Sequence, residues 1–375
     1  MVDFAVDVSK LAGFKLDLQD LGVAASSNAT RLLPMVSLPA GTTGQLATLT
    51  PSVQRLQSTL SRVHQSDMSA VGALGTKLGT AENRYQTSDE QHADAISKAA
   101  TTALSGQDLP ATRSPQGVSR FSGLQLPILQ DVKEAQYTVR QVVIASIEIL
   151  TPYDEPLSQA IGIKPVADYL SPLVADWEAL QSVGKRIGLL GLNDYVTSEN
   201  LSSSTRWLQN SWSGDASTAF ATATTALGGP IAGRSSDLDA VAKIVENGGL
   251  LLERLVYNQA MDLADTITKS MNFLDFTLPL GVWAQLIDSP MQDSMKFQVC
   301  SAVDALKASA ATRQDKISNM IERISGALNY EPGRTAPSYN PSEFELPDKV
   351  TVDLGASRYG YGDNVWWEHT IDLAN

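Results

Sequence analysis

Histidine and cysteine, two residue types that often catalyse reactions or bind metal ions, are rare in this sequence. The three histidines, His64, His92 and His369, have no second histidine or cysteine at the spacing of a local metal site. We expect His64, on the flank of a helix, and His92, in the polar run DEQHAD, to be ordinary rim or solvent-facing side chains. Cys300 is the single cysteine, so no disulfide can form within the chain. Its place in an apolar helix face predicts a buried, unreactive thiol.

Carboxylates are the other candidates for chemistry, because two of them can act as acid and base across a substrate. Asp89/Glu90 and Asp353/Asp363 are two such pairs. The chain carries 41 Asp and Glu against 28 Lys and Arg, a formal net charge of −13, so scattered acidic side chains are expected at the surface. The same charge repels nucleic-acid phosphates. The sequence therefore predicts no catalytic residue, no metal site, no cofactor and no nucleic-acid partner.

Two short patterns are suited to recognition by another protein. Trp212-Ser213-Gly214 lies between two helical runs, where glycine can adopt the positive φ that reverses a chain and an indole can cover the end of a bundle. In Tyr85-Gln-Thr-Ser-Asp89 the phenol and the carboxylate lie one helical turn apart on one face. The same spacing from tyrosine to acid recurs at Tyr195/Glu199, Tyr339/Glu343 and Tyr359/Asp363. Only Tyr85 follows a long Ala/Leu helix, so its pair is the candidate docking epitope.

The elements that would position these patterns are predicted from the spacing of apolar residues. Apolar side chains recur every three to four residues over 46–99, which predicts one helix of about fifty residues that begins at Thr50-Pro51. A looser amphipathic stretch over residues 4–33 precedes it. Residues 105–127 are rich in Gly, Pro and Ser, and we interpret them as a linker.

The second half of the chain is also predicted to be helical. Residues 129–150 form one helix, which the run TPYDEP ends, and Ser171-Pro172 begins the first arm of a hairpin. The second arm covers residues 220–274, and Gly228-Gly229-Pro230 should interrupt it. A third long helix is expected to begin at Ser289-Pro290, where Gln292 completes a capping box.

These patterns predict an all-α protein of long antiparallel helical hairpins that form bundles, with a small C-terminal β-hairpin or extended tail. The predicted parts are a helical domain of residues 1–105, a linker of residues 106–127, a hairpin or bundle domain of residues 128–329, and an acidic aromatic tail of residues 330–375. Trp366 and Trp367 are adjacent in an alternating run of that tail. One of the two rings should face outward, and both residues are candidate partner contacts.

The first residues lack the uninterrupted apolar stretch of a secretory signal peptide. The most apolar stretches, at residues 139–150 and 273–287, are too short and too charged to span a bilayer. We therefore expect neither classical export nor a transmembrane segment.

Two stretches resemble families of actinobacterial type VII (ESX) secretion substrates. Residues 170–287, with the turn in RWLQNSWSGDASTAF, resemble the Trp-X-Gly (WXG) family. Residues 38–95, which end in RYQTSDEQHADA, are similar to the ESX excretory virulence-factor family, whose helix ends in Tyr-X-X-X-Asp. The resemblance implies hairpins that pair into four-helix bundles and export without a classical signal peptide. It also implies that the export ATPase recognises the Tyr-X-X-X-Asp end together with the Trp-X-Gly turn.

On this resemblance, Tyr85 and Asp89 are the expected secretion signal, and Trp212 and Gly214 are the helical turn that completes it. The order differs from the family pattern, in which the signal follows the Trp-X-Gly hairpin. We expect a non-enzymatic protein, secreted or at the cell surface, that contacts the type VII ATPase and either a small WXG-type partner or a second copy of itself. Without export it would be cytoplasmic. The alternatives are the carrier of a polymorphic toxin, with residues 330–375 as effector, and a structural helical assembly.

Overall fold

A computed structural model describes residues 5–103, 117–273, 276–335 and 337–351. This part of the chain is mainly α-helical, which confirms the predicted all-α class, and its sheet is a single antiparallel pair of short strands. The α-helices are α1 (Val8–Leu32), α2 (Thr50–Ala103), α3 (Val139–Ile161), α4 (Ala179–Gln209), α5 (Asp215–Thr268), α6 (Leu280–Gln285) and α7 (Asp293–Leu328). The strands are β1 (Ser270–Phe273) and β2 (Phe276–Pro279), with Ser270 opposite Pro279. Among these helices we find none with enough apolar length to cross a membrane.

Two antiparallel hairpins pair into a four-helix bundle. In the first hairpin, Lys15 of α1 forms an ion pair with Glu82 of α2, and the amide of Gln57 donates to the carbonyl of Leu33 at the other end. In the second, α4 and α5 approach so closely that a Cβ on Gly184 would lie 2.5 Å from a backbone nitrogen of α5. Glycine at this position allows the two backbones to meet. The hairpins join where α1 packs on α4 and α2 on α5.

A larger apolar core lies beside the bundle, where α3, α6 and α7 pack on the C-terminal half of α5. The apolar side of α7 is buried there, whereas Cys300, which the sequence predicts to be buried, is only partly buried. The buried residues of α7 are Val299, Val303, Leu306, Ala310, Ile317, Met320, Ile324, Ala327 and Leu328. This core also includes Leu49, from before the predicted linker, and Val256, from after it. The division of the chain into separate domains stays a prediction.

Two predicted interruptions of helices are wrong. Pro152 lies inside α3 and Pro230 inside α5, and both helices continue past them. A proline lacks the N–H that would bond the carbonyl four residues earlier, here those of Glu148 and Ala226. Both prolines and both of these residues are exposed, so water can reach the freed carbonyls. The rule for a single proline ignores the side of the helix on which it lies.

Three predicted helix starts are also wrong. The helix α3 begins at Val139 rather than at Leu129. The helix α4 begins at Ala179 rather than at Ser171, because residues 171–173 form a 3₁₀ turn and Val174 is extended. The helix α7 begins at Asp293, without a side-chain cap, rather than at a capping box on Ser289. The N–H of Ser289 instead donates to a carbonyl three residues earlier at 2.9 Å and closes a turn after α6.

The apolar spacing also does not predict the strands β1 and β2, because it treats residues up to 274 as one helical arm. Residues 352–375, with Trp366 and Trp367 and most of the predicted C-terminal hairpin, lie outside the described residues. The described part of the tail lies along α5. There the side chain of Asn258 accepts the N–H of Val350 at 2.9 Å and donates to the carbonyl of Asp348 at 2.8 Å.

Candidate functional site

The Trp-Ser-Gly turn connects α4 to α5. Gly214 has a φ of 100°, in the left-handed region that favours glycine. Its carbonyl accepts the N–H of Thr218 at 3.0 Å, which begins the helical bonding of α5. The hydroxyl of Ser217 donates to the carbonyl of Trp212 at 2.7 Å. The chain therefore reverses between two helices at the three residues that the sequence analysis singles out.

The indole of Trp212 is buried rather than displayed. It is 4% exposed and lies in a second, smaller apolar core at one end of the four-helix bundle. Its ring centroid is 5.7 Å from that of Phe220, which meets Phe14 of α1 edge to face at 5.8 Å. The other buried members of this core are Leu11, Leu18, Leu21, Val71, Leu74, Leu78, Leu201, Leu208 and Ile231. Because all four helices contribute, the turn forms part of the core.

The second pattern meets the first at this core. The indole Nε1–H of Trp212 points to the hydroxyl of Tyr85 at 3.4 Å, although the two residues are 127 positions apart in the sequence. Tyr85 is partly buried against the small core. Asp89, one turn later on α2, is exposed, as are the side chains from Gln86 to His92. The phenol is therefore held by the bundle while the carboxylate faces solvent.

Residues 5–7, which precede α1, form hydrogen bonds with the Trp-Ser-Gly turn. The N–H of Asp7 donates to the carbonyl of Ser211 at 3.0 Å, and the N–H of Ser213 donates to the carbonyl of Ala5 at 2.9 Å. These bonds flank an isolated antiparallel bridge to Trp212. The apolar spacing does not predict this short segment of residues 5–7, the N-terminal arm. The alternation of apolar and polar residues at the start of the chain is the signal that could have found it.

The arm is fixed to α1 by the cap that Asp7 provides. Its carboxylate accepts the backbone N–H of Ser9 at 3.1 Å and the hydroxyl of the same residue at 2.7 Å. The hydrogen bond from the hydroxyl lowers the pKa of Asp7 below its ordinary value. At neutral pH the charged cap therefore holds the helix start and the arm together.

A buried group of charges joins α2 to the second hairpin. The guanidinium of Arg234 meets the carboxylate of Asp194 through two bonds, at 2.7 and 2.9 Å, and lies 2.7 Å from the carboxylate of Asp67. Tyr85 lies 18 residues after Asp67, which is about five turns of an α-helix. Both residues therefore lie on one side of α2. The ion pair thus links α2 to α5 on the side of α2 that carries the phenol.

The pKa values of Arg234, Asp194 and His64 are shifted in this buried environment. Burial works against the charge of Arg234, but the bonds from Asp194 and the charges of both carboxylates outweigh it and raise its pKa. Burial raises the pKa of Asp194, and Arg234 opposes the rise. Burial lowers the pKa of the neighbouring His64, and the charge of Arg234 lowers it further. His64 is partly buried and its Nε2 atom has no protein partner, so the predicted rim position describes it only in part.

The other tyrosine-to-acid pairs of the described chain differ from Tyr85 and Asp89. Tyr195 and Glu199 are exposed on α4. Tyr339 stacks on Phe344 and its hydroxyl bonds Asn247 on α5 at 3.0 Å, which are structural contacts. Within the residues that the structure covers, no group of three His, Cys, Asp or Glu side chains could hold a metal ion.

Comparisons of this chain with protein-family models, with curated proteins and with solved structures found no match.

Proposed function

We propose that this protein is a non-enzymatic substrate or component of a type VII secretion system that acts through protein–protein contacts. One observation carries the proposal, namely the 3.4 Å approach of the Trp212 indole to the Tyr85 hydroxyl. The resemblance implies that a Tyr-X-X-X-Asp end and a Trp-X-Gly turn are read together, and in this sequence they are far apart. Their contact in the bundle supports a joint role, although their order along the chain differs from the family pattern.

The proposed partner is the export ATPase. Its docking surface would combine the exposed carboxylate of Asp89 with the end of the bundle around Tyr85. Because Trp212 is 4% exposed, its proposed role is to hold the phenol in position rather than to touch the ATPase. The exposed stretch from Gln86 to His92 gives such a partner access to the C-terminal half of α2.

The bundle supports a second part of the proposal, which concerns the assembly state. Two hairpins of one chain bury the small core between them, an arrangement that the family resemblance implies for paired subunits. We therefore propose that the protein acts without a small WXG-type partner. Sedimentation of the purified chain should give a monomer, and obligate copurification of a small helical partner would contradict this.

Export is tested in a bacterium that carries a type VII system. Tyr85→Ala and Asp89→Ala should each reduce the protein in culture filtrate, with a matching rise inside the cells. Asp89→Ala is the sharper variant, because its side chain is exposed and its loss leaves the core intact. Circular dichroism of the purified variants separates a lost signal from a lost fold.

Tyr195→Ala and Glu199→Ala are the matched controls. They have the same spacing on an exposed helix face, but they lie away from the Trp212 turn. Both should be exported like the wild type. Equal export of the Asp89→Ala variant, or equal loss in the Glu199→Ala control, would remove the proposed signal.

A further inference from the structure

An extended segment outside the helices has one edge occupied by side-chain amides. The N–H of Gln125 donates to Oδ1 of Asn200 at 3.0 Å, and Nδ2 of Asn200 donates back to the carbonyl of Gln125 at 2.6 Å. The side chain of Asn28 repeats the pattern, donating to the carbonyl of Pro127 at 3.0 Å and accepting the N–H of Leu129 at 3.3 Å. An asparagine amide offers the same donor and acceptor as a peptide group. The two amides therefore take the place of a neighbouring strand.

The opposite edge of this segment is open. In an extended chain the N–H and C=O groups of successive residues point to opposite edges. Because Gln125, Pro127 and Leu129 point to the asparagines, Leu126 and Ile128 point away from them. Within the described parts of the chain, the backbone groups of these two residues have no hydrogen-bond partner.

Two features make this edge suitable for pairing with another strand. The side chains of Leu126 and Ile128 are 38% and 90% exposed, so apolar area remains to be buried. Pro127, the residue that lacks an N–H, has its backbone on the edge that faces Asn28. The proline therefore leaves the open edge uninterrupted, as prolines on one side of an edge strand do.

We propose that residues 124–130, the open strap, bind an extended peptide segment of a partner protein as an added β-strand. Unpaired donors and acceptors that repeat along an extended edge are complementary to another extended backbone. Apolar side chains at alternate positions of the peptide would cover Leu126 and Ile128. This site is separate from the Trp212 turn and does not depend on the proposed export function.

The size of the edge argues against a second copy of the chain as occupant. Seven residues span roughly 23 Å of strand. Pairing two such edges buries far less than the roughly 1,200 Å² of a stable interface. A short peptide strand needs no larger surface.

The test uses the full chain and a synthetic probe, the fluorescein-labelled peptide Thr-Val-Thr-Val-Thr-Val-Thr with blocked ends. Fluorescence anisotropy measures its binding, and hydrogen exchange with mass spectrometry locates it. We expect slower exchange in the fragment that contains Leu126 and Ile128. A peptide that is N-methylated at alternate residues, and so lacks donors on one edge, should bind at least about tenfold more weakly.

Protein variants identify the edge. Ile128→Ser should weaken binding about tenfold or more, because an exposed apolar side chain no longer becomes buried. Val23→Ser, on α1 and 71% exposed, is the matched control and should bind as the wild type does. Circular dichroism checks that both variants fold. No binding, equal binding of the methylated peptide, or protection elsewhere in the chain would overturn the proposal. A dimer that Ile128→Ser abolishes would show instead that a second copy of the chain occupies the edge.

Discussion

Replacement of Arg234 by methionine removes the cation at the centre of the bundle. The variant leaves the carboxylate of Asp194 without its two hydrogen bonds and that of Asp67 without its ion pair. The side chains of Arg234 and Asp194 are 5% and 8% exposed, so solvent screens their interaction little. Loss of one partner from a buried ion pair costs about 3–5 kcal/mol. We expect the free energy of unfolding at pH 7 to fall by that amount.

The loss should depend on pH in a defined direction. Burial raises the pKa of Asp194 and Arg234 opposes the rise, so the variant should have a still higher pKa at this position. A carboxyl whose pKa is higher in the folded than in the unfolded chain destabilises the fold as pH rises from 3.8 through the folded-state pKa. Each unit of further rise adds about 1.4 kcal/mol to the loss at neutral pH. The loss is therefore smaller at pH 5 than at pH 7.

Urea unfolding followed by far-ultraviolet circular dichroism measures this difference. Wild type and variant are compared at both pH values, so titrations that they share cancel. Lys243→Met is the matched control, because Lys243 forms an exposed pair with Asp239 on the same helix, and its midpoint should not change. A loss below about 1 kcal/mol at pH 7, or an equal loss at both pH values, would refute the assignment of Arg234 as the charge that holds α2 in place.

Three further perturbations have defined outcomes. Gly214→Ala forces alanine to a φ of 100° and should lower the free energy of unfolding by about 1–2 kcal/mol in urea, whereas Gly72→Ala, with open space around it, should not lower it. Because the pKa of His64 is lowered in the fold, stability should fall as pH drops below 6.5, and His64→Gln should flatten that decline in a urea series from pH 7 to 5. Asp7→Ala removes the cap of α1, costs about 1 kcal/mol, and should speed hydrogen exchange at Ser9; unchanged exchange there would contradict the cap.

The periodicity of apolar residues was enough to predict most helices. It predicts the long α2 from Thr50 onward, a third long helix before the tail and a hairpin that reverses at Gly214. Each of these depends on residues within a few turns of one another, because a helix face repeats every 3.6 residues and a turn needs a residue that tolerates positive φ. Rules that judged single residues failed. Pro230 stays within a helix because the carbonyl of Ala226, which proline cannot bond, belongs to an exposed residue. Ser289 closes a turn instead of beginning a helix.

Contacts between distant segments could not be predicted in this way. The approach of Tyr85 to Trp212 depends on how the two hairpins are rotated and shifted against each other. That arrangement follows from the shared small core and from the charges around Arg234, whose partners lie on two other helices. No local window of sequence contains both sides of such a contact. The amino-acid pattern therefore specified the helices and the turn. The packing of one hairpin on the other brought Tyr85 to Trp212, because packing energy is shared among residues far apart in the chain.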